Sequence, residues 1–574
     1  MPKVSSDRYS YEANVGVYEP IVLAALERID KEKIIERIWQ HDFTVWKDDP
    51  TEITNRLGWL HSSIAFKENI ARMTQFVEQL RSEGFTQALL LGMGGSSLAA
   101  EVFRFTFGVK QGYLDLHILD STHPDAILEK ETFLDLKKTI FIVSTKSGGT
   151  VETISFFKYF YNKVKDLVGK VKVGNHFIAI TDPDSGLEDI AGELNFREVF
   201  LNDPNIGGRY SALSYFGLVP AALIGVDLDR LLSGANTKIN NCAAKHKRNT
   251  CAMLGATLGA MAIAGHDKLT LIISPQLSYF GSWVEQLIAE STGKEGKGIV
   301  PVDGEVVASP DLYSGDRLFV YLHFKGDHSH EAKVTDLIAA GLPVVKLSLN
   351  NLYDLGGEFF RWEMATALSA SLLAINPFDQ PDVEAAKVRA KEMMDVYRKK
   401  GRLPTLKPIM DQEQIKVFAD FDAHNLKEAL HLLLIRANPG KRKGSSRSYI
   451  SLQAYLNHTP EIDVILQSIR TKIQRNYKLA TTFGYGPRFL HSTGQLHKGD
   501  GGQGLFIQFT ADTTEDIAIP DHADQDASSI TFGTLINAQA LGDRQALLDA
   551  GRNVIRIDFG EEIIAGLEQI ITSL

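Results

Sequence analysis

Between residues 88 and 201 five short apolar runs alternate with helix-like stretches, and that alternation leaves few folds open to the chain. The runs are 88–91, 114–119, 139–144, 177–181 and 198–201, each ending in Gly, Ser, Thr, Asp or Pro. Strand–helix–strand units of this length build parallel sheets through right-handed crossovers. A second block repeats the pattern, with strand candidates at 269–274, 318–322 and 344–349 and helices within 282–289 and 358–374. The predicted fold is therefore α/β, with two related doubly wound domains, mainly parallel sheets and a cleft between them. At 574 residues the chain is too long for one core, and one domain per ~150 residues suggests three or four units.

The remaining segments are less constrained. From 18 to 79 the period is helical: Ile21, Leu23, Ala24, Leu26 and Ile29 crowd one face, and Ile34, Ile35, Ile38 and Trp39 repeat it. The expected organisation is a helical N-terminal arm (1–79), a first sheet domain (80–235) and a second (236–383). A mostly helical insertion (384–480) follows, and then a C-terminal α/β segment (481–574), with strand candidates at 505–509, 517–520 and 554–559, expected to complete the second domain.

Ligands of such sheets sit at the carboxyl ends of the strands. Strand 139–144 empties into STKSGGTVET (144–153), where glycines allow close backbone approach, and hydroxyls and a helix N-terminus can hold a small anion. The stretch is neither a Walker loop nor a GxGxxG loop. Taken alone it reads equally well as a capped strand–helix turn. Strand 88–91 runs into GMGGSSLAAEV (92–102), a second hydroxyl- and glycine-rich end, which favours phosphate over mere helix–sheet packing. After strand 198–201, Gly207 and Gly208 free the backbone before Arg209, whose guanidinium suits an oxyanion; a surface salt bridge is the plainer reading.

Composition excludes several function classes. A net charge of −10 argues against nucleic acid or an anionic membrane as the main partner, so a phosphate site here must be locally basic. The basic run KRKGSSR (441–447) lacks interleaved aromatics and reads as an exposed loop. Two cysteines without a CxxC spacing exclude a disulfide framework and a cysteine zinc site, and point to a reducing compartment. Residues 1–18 have no apolar signal core and no run of ~18 apolar residues occurs, so the expected location is the cytoplasm.

GMGGSSLA, STKSGGTVET and GGRYSALSYFGL, in that order, resemble the sugar isomerase (SIS) domain of the phosphoglucose isomerase family. AESTGKEGKGIVP (289–301) is similar to the segment holding that family's catalytic glutamate, and FFRWE…LLAINPFDQPDVEAAK (359–387) to the one holding its lysine. The pattern resembles most the isomerase half of bifunctional transaldolase/glucose-6-phosphate isomerases, from VWKDDPTEITNRLGWL (45–60) to RFLHSTGQLHKG (488–499). The isomerase-like part begins within the first twenty residues, so no transaldolase half is expected.

The resemblance implies two SIS domains and a cytoplasmic isomerase of glycolysis and gluconeogenesis. It would interconvert glucose 6-phosphate and fructose 6-phosphate through an enediol, without metal or organic cofactor. Residue by residue it implies a phosphate clamp of Ser96, Thr145, Lys146, Ser147 and Thr150. Glu290 is the base, with Glu295 its rival; Arg209 stabilises the enediolate, and Lys387 and His491 open the ring. His491 departs from the family order, since LHSTGQ lies beyond Lys387 in the chain, and His497 and Lys498 beside it are alternative acid/base groups. The family histidine usually comes from the partner subunit, which implies a homodimer, but a rearrangement could supply it within one chain, so a monomer is not excluded. The other readings are an isomerase of another sugar phosphate and a non-catalytic sugar-phosphate sensor, the latter keeping the clamp without the catalytic quartet.

Overall fold

A computed structural model describes residues 4–5, 10–243, 249–412, 415–438, 440 and 447–574. The 441–447 run therefore lies almost wholly outside the described residues.

The first sheet holds Gln87–Gly92, Asp115–Leu119, Thr139–Ser144, Phe177–Thr181 and Glu198–Leu201, all parallel. Numbered along the chain, the spatial order is 2-1-3-4-5. Thr139–Ser144 (TIFIVS) is buried along its whole length, as a central parallel strand covered by helices on both faces must be. The order reverses between the first and third strands, where crossovers leave to opposite faces and open a crevice at the strands' carboxyl ends. Those two ends carry GMGGSS and STKSGGT.

The second sheet runs Val300–Val302, Lys268–Ile273, Arg317–Phe324 and Val344–Leu349 in parallel. Its free edge is closed by Ser10–Asn14, antiparallel to Val344–Leu349. This corrects the purely helical N-terminal arm: in SYEAN the alternation buries Tyr11 and Ala13, a period of two over five residues beside a long helical pattern. The arm's helices, Glu19–Lys31 and Ile70–Ser82 among them, bury Val22, Ile29, Met73 and Leu80 in a core shared with the first two sheets.

A third sheet is the larger correction. The C-terminal strands do not extend the second sheet. Met410–Gln412, Ile415–Phe418, Asn553–Asp558, Gly504–Thr510, Tyr449–Tyr455 and Ala480–Tyr485 pair in that order, the last four parallel, around a separate core. Tyr449–Tyr455 is buried throughout and interrupts the segment expected to be helical. Ala518–Ile519 joins no large sheet but pairs with Ile530–Thr531. That hairpin and the helix Phe532–Asp549 pack onto the first sheet's unit, burying Ile519, Phe532 and Leu535 against the helix Val151–Val168. Each such apolar side chain contributes roughly 1.5–3 kcal/mol by leaving water.

Cys242 and Cys251, at the facing ends of the helices Leu228–Cys242 and Thr250–Ile263, form a disulfide with Cα atoms 5.9 Å apart. One bridge is not a framework, but it removes the support that cysteine usage lent to a reducing compartment. Among the described residues no helix is long and apolar enough to cross a membrane.

Candidate active site

A cleft of about 790 Å³ opens at the junction of the first and third sheet units. Ser147, Gly148, Gly149, Thr150 and Val151 form one wall; Lys387 and its helix Val383–Lys400 another; His491, Glu152 and Gln539 lie between them.

The 147–151 wall follows from local sequence. Gly148 takes φ +71° and comes against the backbone of Gly186 and Leu187, where a Cβ would stand 2.6 Å from the Leu187 nitrogen. The loop thus turns sharply into the helix Val151–Val168. No side chain caps that helix, because the Thr150 hydroxyl meets that of Thr145 at 2.8 Å. Its opening N–H groups, with the helix dipole behind them, are left for a ligand anion. Of the clamp candidates, Ser147 and Thr150 line the cleft. Ser96 and Thr145 are buried beside it, and Ser144 Oγ donates to the Ser96 carbonyl at 2.8 Å. Lys146 is turned away: its ammonium pairs with Asp182 and donates to the Pro204 carbonyl at 2.9 Å.

The glycines after the first strand serve close approach. A Cβ on Gly95 would stand 2.2 Å from the Gly208 carbonyl oxygen, and one on Gly94 2.6 Å from that of His491. These contacts bring the Arg209 turn and the LHSTGQ segment against one strand end.

Arg209 is 4% exposed, which rules out a surface salt bridge. Its NH1 donates to Glu290 Oε2 at 3.0 Å and Gln380 Oε1 at 2.8 Å, its Nε to Ser291 Oγ at 2.9 Å, and its NH2 to the Pro377 and Asp379 carbonyls. Glu290 ends an apolar helix, Phe280–Thr292, and burial raises its pKa while the Arg209 charge opposes the rise. Its rival Glu295 lies outside, paired with Lys47 at 2.7 Å and 46% exposed. Lys294 is buried against Asp379, holding the loop that receives Arg209, and burial pushes its pKa down to about 8.

His491 is brought in despite its place in the chain. Its Nε2 donates to Glu152 Oε1 at 3.0 Å, and its carbonyl accepts from Gln286 Nε2 at 2.8 Å. Gln286 also points towards Glu290 Oε1, at 3.4 Å, one helical turn on. Although burial pushes the Glu152 pKa up, the His491 ring hydrogen-bonded to it holds it below the usual carboxylate value. The motif's Gln495 stitches the segment in place. Its Oε1 accepts from the backbone N–H groups of Asp382 and Val383, at the start of the Lys387 helix, and its Nε2 donates to the Gly293 carbonyl at 3.0 Å. Lys387 itself is 53% exposed and paired with Glu384 at 2.7 Å.

His497 and Lys498 stand elsewhere. Burial holds the His497 pKa well below its ordinary value, with Ser451 and Gln453 against its ring, and Lys498 forms a buried pair with Asp543 at 2.6 Å. Glu152, Gln286, Gln495 and Gln539 had not been singled out from the sequence. Glu152 and Gln495 lay inside the quoted motifs; Gln286 and Gln539 are isolated polar residues on otherwise buried helix faces. No cluster of three or more potential metal ligands occurs among the described residues.

Residues 61–311 match the family described as phosphoglucose isomerase. Over 383 residues the chain is 30% identical to a probable glucose-6-phosphate isomerase of Methanococcus maripaludis, covering 60% of this chain and 85% of that protein. Over 400 residues it is 28% identical to a glucose-6-phosphate isomerase of Parabacteroides distasonis, covering 60% and 88%. Among solved structures, a hypothetical protein of Thermus thermophilus superposes with a TM-score of 0.58 at 25% identity, covering 67% of this chain and 99% of that one. A glucose-6-phosphate isomerase of Chlamydia trachomatis shares the fold at a TM-score of 0.59 and 19% identity, covering 69% and 90%.

Proposed function

This chain belongs to the phosphoglucose isomerase family and is an isomerase, and from that premise we propose that it interconverts glucose 6-phosphate and fructose 6-phosphate through an enediol. The phosphate binds the 147–150 turn and the uncapped helix end behind it, with Ser96 and Thr145 in support, while Lys146 stays with Asp182. His491, proton-bearing on Nε2 towards Glu152, presents its other ring nitrogen to the sugar and opens the ring together with Lys387. Glu290 then carries the proton between C1 and C2, and the Arg209 charge beside it stabilises the enediolate.

The observation that carries this reading is the part-buried Glu290–Arg209 contact at 3.0 Å, within reach of Gln286 and, through it, His491. A carboxyl whose pKa is raised by burial takes up a proton more readily than a solvated one, and the adjacent guanidinium limits how far it rises. A sugar-phosphate sensor needs the clamp but has no use for that pair. The route requires neither metal nor organic cofactor.

The test is a coupled assay with fructose 6-phosphate, detecting glucose 6-phosphate, on chelator-treated protein. Turnover is expected. Silence with sugar-phosphate binding would make the protein a sensor, or an isomerase of another sugar phosphate such as mannose 6-phosphate. Silence without binding would overturn the phosphate reading of 144–153.

A further inference from the structure

Glu152 Oε1 accepts two hydrogen bonds, and only one is from His491. The second comes from Gln539 Nε2 at 2.6 Å. Gln539 lies on the helix Phe532–Asp549, far outside the family-matched residues 61–311, and is 4% exposed. Its Oε1 accepts in turn from Thr122 Oγ1 at 2.9 Å, and Thr122 is fully buried just past the strand Asp115–Leu119. Both ends of the amide are thus engaged by protein groups.

The order of donors matters. A carboxylate only accepts, so the amide must turn its NH2 to Glu152 and its oxygen to the threonine hydroxyl. Held by a neutral donor, Glu152 stays an acceptor in a buried setting where an unpaired carboxylate would be costly. Its free demand for a proton donor then falls on His491, whose proton is drawn to Nε2 and whose Nδ1 is left with a lone pair. The Gln539 helix is also seated on the helix that carries Lys387: a Cβ on Gly542 would stand 2.6 Å from the Ala390 nitrogen, so the two elements touch at backbone distance.

We propose that Gln539 is a positioning residue for His491, acting through Glu152 to fix the imidazole tautomer and orientation. The proposal rests on the reading of His491 as the ring-opening group, but its first test does not require turnover. In protein labelled at histidine nitrogens, the His491 signals are those lost in His491→Ala. The wild type shows the neutral ring protonated on Nε2. Gln539→Met, which keeps the side chain's length and loses both hydrogen-bonding groups, gives a mixture of tautomers; Gln539→Leu serves if that variant does not fold. An unchanged tautomer in the folded variant overturns the proposal.

The second test uses rate. Gln539→Met lowers kcat on fructose 6-phosphate about ten- to hundredfold, the range for losing a hydrogen bond to a charged group. In the His491→Ala background the same change adds nothing. A loss that multiplies undiminished in that background overturns the proposal, because Gln539 then acts independently of His491. If the wild type turns over no hexose phosphate, the reading of the function fails while the tautomer measurement still decides the role of Gln539.

Discussion

Burial and a neighbouring cation act on Glu290 in opposite senses, and burial wins. In the mechanism we propose, this carboxyl accepts and returns the proton, with Arg209 at 3.0 Å to stabilise charge that develops beside it. Glu290→Gln is expected to lower kcat by about a thousandfold, within the range of general-base catalysis, with substrate affinity nearly unchanged. Unaltered turnover in a steady-state assay would move the base elsewhere. Ser147→Ala with Thr150→Ala should instead raise KM at least tenfold, since each hydroxyl donates to a charged group worth ~1.5–3 kcal/mol. An unshifted KM would discredit the clamp. That Arg209 and Glu290 lie together, and that the 147–150 turn borders the cleft, was legible in the sequence because glycines and hydroxyls at strand ends follow from local geometry and the family motifs supplied the rest. Gln286 and Gln539 were not: a lone glutamine on a buried helix carries no local signal, and the His491 carbonyl that Gln286 meets and both partners of Gln539 stand hundreds of residues away in the chain.

Single elements are held to the site by side chains that also act as caps. Gln495 takes the backbone N–H groups of Asp382 and Val383, so the first turn of the Lys387 helix depends on a residue more than a hundred positions later. Gln495→Ala strands two helix-start donors and should cost about 1–3 kcal/mol of stability, read as a drop in Tm, along with a lower kcat. An unchanged Tm would mean that water replaces the amide. His497 gives its element a pH dependence. Its folded pKa lies well below 6.5, so the unfolded chain binds the proton first as pH falls. The stability it contributes is present above about pH 6.5 and is lost on acidification below it. Denaturant unfolding between pH 7 and 5 should show that loss, and His497→Gln should flatten it. Identical slopes in both proteins would show that the ring is not buried neutral.

Across the whole molecule, the cleft opens between the first and third sheet units, and Glu290 of the second is linked to His491 through Gln286. Ser147, Thr150 and Glu152 belong to the first sheet's unit, Glu290 precedes a strand of the second, and His491 follows the Ala480–Tyr485 strand of the third. Every group proposed to act comes from one chain. Specific activity should therefore stay constant on dilution from micromolar to nanomolar protein, with sedimentation run in parallel to report the oligomer present. Activity that falls with dissociation would show that a partner supplies or supports part of the site.

By itself the sequence determined the parallel α/β class, the strand ends that face the crevice and the helical periods of the arm. All of these follow from local rules of apolar spacing, glycine freedom and helix capping. Only the tertiary structure decided that the C-terminal strands build a sheet of their own and that residues 10–14 close the edge of the second. Only it, too, turned Lys146 to Asp182, paired the cysteines and brought His491 to Glu152. Those outcomes depend on which distant surfaces pack together. A strand's own residues set its period but not its partner, and a histidine's motif does not say which carboxylate it will face.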